Sequence, residues 1–216
     1  MTTAATPDAT RIAKLLLHHK AVQVRPHDPF TWSSGRIAPI YCDNRLLLAD
    51  AEARNAVQRG FVQHCLAASW QPDVIAGTAT AGIPHATSLA DRFGVGLAYV
   101  RGSAKAHGQQ RRIEGGVPEG ASVLVVEDLV ATGGSALDAV QAVRKARADV
   151  LGVLAIFAYD FPATRTAFAD AECPLHVLTT FPTVADVAVS SGRLDAEARK
   201  QLADWHRAPT DWAPAD

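Results

Sequence analysis

The sequence carries almost no net charge: 21 Lys and Arg stand against 22 Asp and Glu, a formal balance of -1. A surface that gathers nucleic acid or anionic membrane by long-range attraction needs a positive excess, so any anion bound here must be held by a local site. Cysteine is sparse as well. Cys42, Cys65 and Cys173 are odd in number, far apart and not in a CxxC pair, which excludes a disulfide framework and a zinc ribbon and suits a reducing cytoplasm. No stretch approaches the roughly eighteen uninterrupted apolar residues that a membrane span requires, and the opening MTTAATPDATR has no apolar run of the export type. The expectation is a cytoplasmic protein, neither exported nor embedded, without nucleic acid as a partner. Internal repeats and low-complexity tracts are missing too. What is present is ordinary: 216 residues, 48% hydrophobic and 20% charged, with a mean hydropathy of +0.03. That is enough chain for one full core.

Along the chain, Asp8 or Thr10 is placed to cap a helix through Ile12, Leu15 and Leu16 toward Lys20. Residues 22 to 45 then mix prolines, a Ser-Ser-Gly turn and short β-prone runs, which reads as an irregular or two-stranded cap. From about residue 50 the pattern alternates. A helix through Ala51 to Ala68 precedes a strand at Asp73 to Gly77, a helix at Ile83 to Phe93 and a strand at Gly96 to Val100. RGSAKAHGQQRRIEGG has almost no apolar residue and reads as a mobile surface loop. Further strands are expected at Ser122 to Val126, Val150 to Phe157 and Leu175 to Leu178, with helices after Thr132-Gly133-Gly134-Ser135 and near Ala163 to Ala171, and two short helices last. The expected class is α/β, a mostly parallel sheet of about five strands flanked by helices, with a small N-terminal hood. The boundaries read as 1–49 for helix and hood, 50–207 for the core and 208–216 for a frayed tail. In such sheets ligands bind at the carboxyl ends of the strands, so the loops after Gly77, Val100 and Val126 should converge.

The segment VLVVEDLVATGGSA, Val123 to Ala136, holds the chemistry. An apolar strand delivers adjacent acids, Glu127 and Asp128, and a helix follows the glycines. Gly133 and Gly134 let backbone N–H groups approach a phosphate at a helix N-terminus, and the Thr132 and Ser135 hydroxyls are candidate donors to it. The acids repel that phosphate unless they face ribose hydroxyls and a hydrated Mg²⁺, whose hard oxygen ligands they supply. No Lys follows the glycines and their spacing is not GxGxxG, so Walker-type and dinucleotide-binding loops are excluded.

This segment resembles the 5-phosphoribosyl-1-diphosphate (PRPP) motif of type I phosphoribosyltransferases. FTWSSGRIAPIYCDNR is similar to the base-covering hood of the orotate phosphoribosyltransferases, VIAGTATAGIPHATSLA to their pyrophosphate loop, and YVRGSAKAHG to their mobile catalytic loop. The resemblance runs from about residue 12 to 190. It implies PRPP contacts at Thr78, Ala79, Thr80, Glu127, Asp128, Ala131, Thr132, Gly133, Gly134 and Ser135, with Mg²⁺ at Glu127 and Asp128 through water. It further implies that Arg101, Lys105 and His107 meet the pyrophosphate, with Asp128 as a catalytic partner, and that Tyr41, Arg45 and Thr132 contact orotate. A homodimer is implied, with the 101–116 loop entering the neighbouring site. Physically, cations that meet the leaving group late lower the barrier to its departure, and His107 can supply a proton or hydrogen bond.

The chain departs from some members of that family. Ser33, Ala81 and Gly102 stand where those members have lysines, and FAYDFP places Asp160 and Phe161 where they have an orotate-binding Arg. Arg45 or Arg36 is then expected to meet the carboxylate. His85, Phe30 and Trp32 read as packing residues. No decarboxylase region is apparent, so the step after this one is expected to use another protein. Two alternatives stay open: transfer to another base such as a purine, and a non-catalytic PRPP-binding regulator.

Overall fold

The computed structural model describes residues 7–32, 35–102 and 112–214. Helix α1 (Pro7–His18) starts ahead of both expected caps, on a proline whose fixed φ and missing N–H suit a first turn. It leads into a hood of two short antiparallel pairs, β1 (Val22–Val24) with β4 (Ile40–Cys42) and β2 (Phe30–Thr31) with β3 (Ile37–Ala38). A 3-10 turn, η1 (Asn44–Ala49), closes the hood, and the Asp43 carboxylate that opens it accepts the Arg45 N–H.

The core follows as α2 (Ala51–Ala67), β5 (Val74–Thr78), α3 (Gly82–Phe93), β6 (Gly96–Val100), β7 (Ile113–Glu114), β8 (Ser122–Val130) and α4 (Gly134–Lys145). It ends with β9 (Asp149–Ala158), α5 (Pro162–Asp170), β10 (Leu175–Thr180), α6 (Phe181–Ser190) and α7 (Ala196–Arg207). Helix α2 begins where the Asp50 carboxylate accepts the Glu52 and Ala53 N–H groups, and α7 begins on Asp195 in the same way. Among the described residues the central sheet has six strands in the order β10-β9-β8-β5-β6-β7, parallel except at β7.

Alternation along these strands feeds two cores. Ile75, Leu124, Val126, Leu154 and Ile156 face α1, α2, α3 and α6, while Val74, Ala76, Val123, Val125 and Val153 face the α4 and α5 side. Both faces are covered, which is why the strands read as continuous apolar runs.

Three features differ from expectation. Strand β8 continues past Val126 to Val130, because Leu129 and Val130 still pair with Phe157 and Ala158 of β9. The two acids therefore sit within the strand. The segment expected to be loop contributes β7, paired with Tyr99 and Val100, at its second end. Near the C-terminus, Trp212 packs against the first core and Asp211 donates to the Ala208 carbonyl, although that segment has the composition of a frayed tail.

Candidate active site

Glu127 and Asp128 are consecutive on β8, and their carboxyl groups lie within hydrogen-bonding reach of each other. Glu127 is buried, and its carboxylate accepts from the Ser135 hydroxyl and from the Asp128 N–H, each at 3.1 Å. Burial first, and the neighbouring Glu127 second, raise the Asp128 carboxyl well above the usual carboxylate range. Two acids held together, one buried and one half-buried, call for a positive charge or strong donors between them. Among the described residues neither forms an ion pair with a Lys or Arg, and no three acidic, His or Cys side chains gather as a protein-only metal cage. Two carboxylates completed by water and substrate oxygens match the coordination of Mg²⁺.

Four residues beyond the acids the backbone turns into α4. Gly133 takes a left-handed conformation, φ +87°, and a Cβ there would lie 2.7 Å from the Phe168 ring. Thr164 donates to the Ala131 carbonyl at 2.7 Å, so α5 braces the outer side of the turn. The concavity left inside measures about 140 Å³ and is lined by Leu129, Ala131, Thr132, Gly133, Gly134 and Ser135 among others. Its floor is the N-terminus of a twelve-residue helix with unpaired N–H groups. Ser135 is committed to Glu127 here, not to the cradle.

The loop after β5 lies beside it. Thr78 donates to the Val126 carbonyl at 3.2 Å, and Ala79 N–H donates to Val100 at 2.8 Å, so this loop is tied to strands on both sides. Gly82, at the start of α3, is a necessity of close approach: a Cβ there would sit 2.6 Å from the Thr78 hydroxyl. The Ala79–Thr80 peptide bond is cis. His85 is buried one turn on, and burial pushes its pKa down to about 4, so it packs as a neutral ring. Arg101 leaves β6 beside this loop, ion-paired to Glu114 at 3.5 Å, and its carbonyl accepts from Arg112. Arg112 braces the loop base and reaches Asp138. Lys105 and His107 lie outside the described residues, as does Ser33.

Between hood and core is a cavity of about 480 Å³, lined by Thr31, Trp32, Tyr41, Cys42, Leu129, Ala131 and Tyr159. Trp32 donates its indole N–H to the Ile40 carbonyl and packs edge-on against Trp205. Phe30 stacks near Tyr41, 5.6 Å between centroids. Arg45 turns its fork onto Asp43, at 2.6 and 2.8 Å, with Tyr41 and Asp128 within its electrostatic reach. Arg36 is exposed and takes no part in the cavity lining. Asp160 is bound to Arg165, and Phe161 stacks on Tyr159 and His206.

Two residues outside the expected contact set also belong to the site. Asn44 is buried in the hood, donates to the Asp128 carbonyl at 2.7 Å and accepts from the Cys42 thiol at 3.4 Å. Tyr159, at the end of β9, forms part of the cavity floor. A polar residue just behind a capping Asp was the only local trace of the first, and nothing local marked the second.

A parallel sheet whose adjacent strand ends carry an acidic pair, a glycine turn onto a helix and a hooded cavity defines a phosphoribosyltransferase architecture. Residues 47–173 match the phosphoribosyl transferase domain, and the chain belongs to that family, within its orotate phosphoribosyltransferase branch. It is similar to the orotate phosphoribosyltransferase of Bacillus subtilis, 47% identical over 93% of this chain and 94% of the relative. Among solved structures, orotate phosphoribosyltransferase from Aeropyrum pernix superposes with a TM-score of 0.74 at 29% identity, covering 85% of this chain and 99% of that one. The Mycobacterium tuberculosis H37Rv enzyme in complex with 5-phospho-α-D-ribosyl 1-diphosphate gives 0.65 at 28%, covering 82% and 99%.

Proposed function

We propose that this chain transfers a ribose 5-phosphate unit from PRPP to orotate, releasing pyrophosphate and forming orotidine 5′-monophosphate for pyrimidine synthesis. The observation that carries the reading is that the hood cavity and the phosphate cradle share Leu129 and Ala131 as wall residues. A planar base in the first and a 5-phosphate in the second are then bridged by one ribose lying over Asp128. Base, ribose and phosphate follow in that order in a nucleotide.

In this scheme the C1–O bond to pyrophosphate breaks as a ring nitrogen of the base forms its bond to C1; the electron pair leaves with the pyrophosphate, which also takes up the proton that the ring nitrogen gives up. The ribose becomes cation-like on the way, so a carboxylate under the ring and cations over the leaving group both act mainly in the transition state. Glu127 and Asp128 hold the ribose hydroxyls and the water shell of Mg²⁺, which when bound neutralises part of the diphosphate charge. Backbone N–H groups at Thr132 to Ser135 take the 5-phosphate, and those at Thr78 to Thr80 take the pyrophosphate. Arg101, Lys105 and His107 meet the departing group, Tyr41 stacks on the base, and Arg45 and Thr132 contact it. A cytoplasmic homodimer, with the 101–116 loop serving the neighbouring site, completes the proposal.

The test is direct: purified protein with PRPP and Mg²⁺ is offered orotate, hypoxanthine or adenine, and orotate absorbance is followed. Orotate consumption with matching pyrophosphate release is the expected result. Turnover of a purine alone assigns a different base, and PRPP binding with no turnover of any base leaves a regulator.

A further inference from the structure

One side chain lining the cavity has its ring buried by the fold while its hydroxyl is not among the enclosed polar atoms and opens onto the cavity. Tyr159 is only 3% exposed. Its backbone is committed on both sides, with the N–H donating to the Val130 carbonyl at 3.0 Å and its own carbonyl 2.7 Å from His206 Nε2. The ring is caged: Phe161 lies parallel to it at 5.5 Å, and Trp32, Phe157 and Trp205 approach at 5.6, 5.2 and 5.7 Å. Among the described residues the phenol itself makes no hydrogen bond. A phenol whose ring is held in an apolar cage and whose hydroxyl opens onto a cavity is placed to hydrogen-bond a ligand there.

The other donors around the cavity are spoken for or loose. The Trp32 indole is bonded to Ile40 and the Cys42 thiol to Asn44, while Thr31 is exposed and Tyr41 is 40% exposed beside Phe30. No charged side chain lines the space among the described residues. Burial, with Cys42 and Tyr41 as near neighbours, holds the Tyr159 phenol protonated, so it offers a proton and not a negative charge.

Resting on the reading above, we propose that Tyr159 is a specificity-determining contact for the base, its hydroxyl donating a hydrogen bond to the orotate carboxylate. A charged oxygen entering neutral walls gains more from a fixed donor than a ring carbonyl does, since hydrogen bonds to charged groups are the stronger ones. The aromatic cage sets the donor in place before the base arrives, so little freedom is lost on binding.

The test is Tyr159→Phe, which keeps the cage and removes one oxygen. The KM for orotate should rise at least about tenfold, as expected for losing a bond to a charged acceptor, with PRPP affinity by calorimetry and the melting temperature unchanged. Uracil, lacking the carboxylate, is the comparison ligand, and its inhibition constant should not move. An unaltered orotate KM overturns the proposal, and so does an equal loss for uracil. A joint fall in melting temperature and PRPP affinity assigns Tyr159 a packing role instead. Wild-type protein inert toward orotate defeats the functional reading itself, whereas an active wild type with an unimpaired variant defeats only this inference.

Discussion

The Asn44 side chain donates to the backbone carbonyl of Asp128 at 2.7 Å, across 84 positions of sequence. The same amide accepts the Cys42 thiol, so one buried residue joins the wall of the base cavity to the acidic pair. Hood and glycine turn are thereby tied by a hydrogen-bonded side chain, in addition to the packing of Trp32 on Tyr159 and Trp205.

Replacing Asn44 with Ala should cost about 1 to 3 kcal/mol of stability, because a buried carbonyl and a thiol lose their partner together. Urea denaturation measures that cost. PRPP binding, followed by calorimetry at a concentration of urea where the variant is fully folded, should weaken as well. Unchanged affinity at reduced stability would show that the tie serves folding alone.

Gly133→Ala meets two obstacles. Its left-handed backbone disfavours any Cβ by about 1 to 3 kcal/mol, and that atom would press on the Phe168 ring 2.7 Å away. Both stability and PRPP affinity should fall. Adding Phe168→Leu should recover only the part due to the contact, and full recovery by the double variant would mean that the backbone is not strained.

Complementation between variants reads out the proposed loop exchange. Lys105→Ala and Asp128→Asn proteins should each be nearly inactive. Allowed to exchange subunits at equal amounts, they should regain about a quarter of wild-type activity, since half of the dimers are mixed and each mixed dimer keeps one intact site. Mixed dimers verified by mass and still inactive would place Lys105 in the site of its own subunit.

His85 makes a pH prediction with a definite sign. Its folded pKa is depressed by burial to about 4 against an ordinary value of 6.5. Above pH 6.5 the ring is neutral in both states and contributes nothing. Between 6.5 and 4 the unfolded chain takes up the proton that the folded one refuses, so stability is lost across that window, by about 3 kcal/mol in total. Denaturation midpoints measured from pH 7 to pH 4 should show this slope for the wild type and a shallower one for His85→Gln.

Most of the sheet was legible because its information is local. A run such as Val123 to Val126 is apolar at every position, and that is the signature of a strand buried on both faces. The far end of β8 was not legible, since Glu127 and Asp128 look like a strand terminus until the pairing of Leu129 with Phe157 is known. Strand β7 was hidden for a similar reason: Ile113 and Glu114 are too short a pattern to read alone, and they exist as a strand only because β6 offers them an open edge.

The sequence by itself determined the proposed phosphate side of this protein: the acids, the glycine turn and the helix start are contiguous from Glu127 to Ser135, and backbone conformation there follows from which residues stand next to one another. Tertiary structure alone decided the proposed base side. Its walls come from Trp32, Tyr41, Cys42, Ala131 and Tyr159, residues that meet only after the hood docks on the sheet. A cavity is a property of surfaces brought together, and no stretch of chain carries it before they meet.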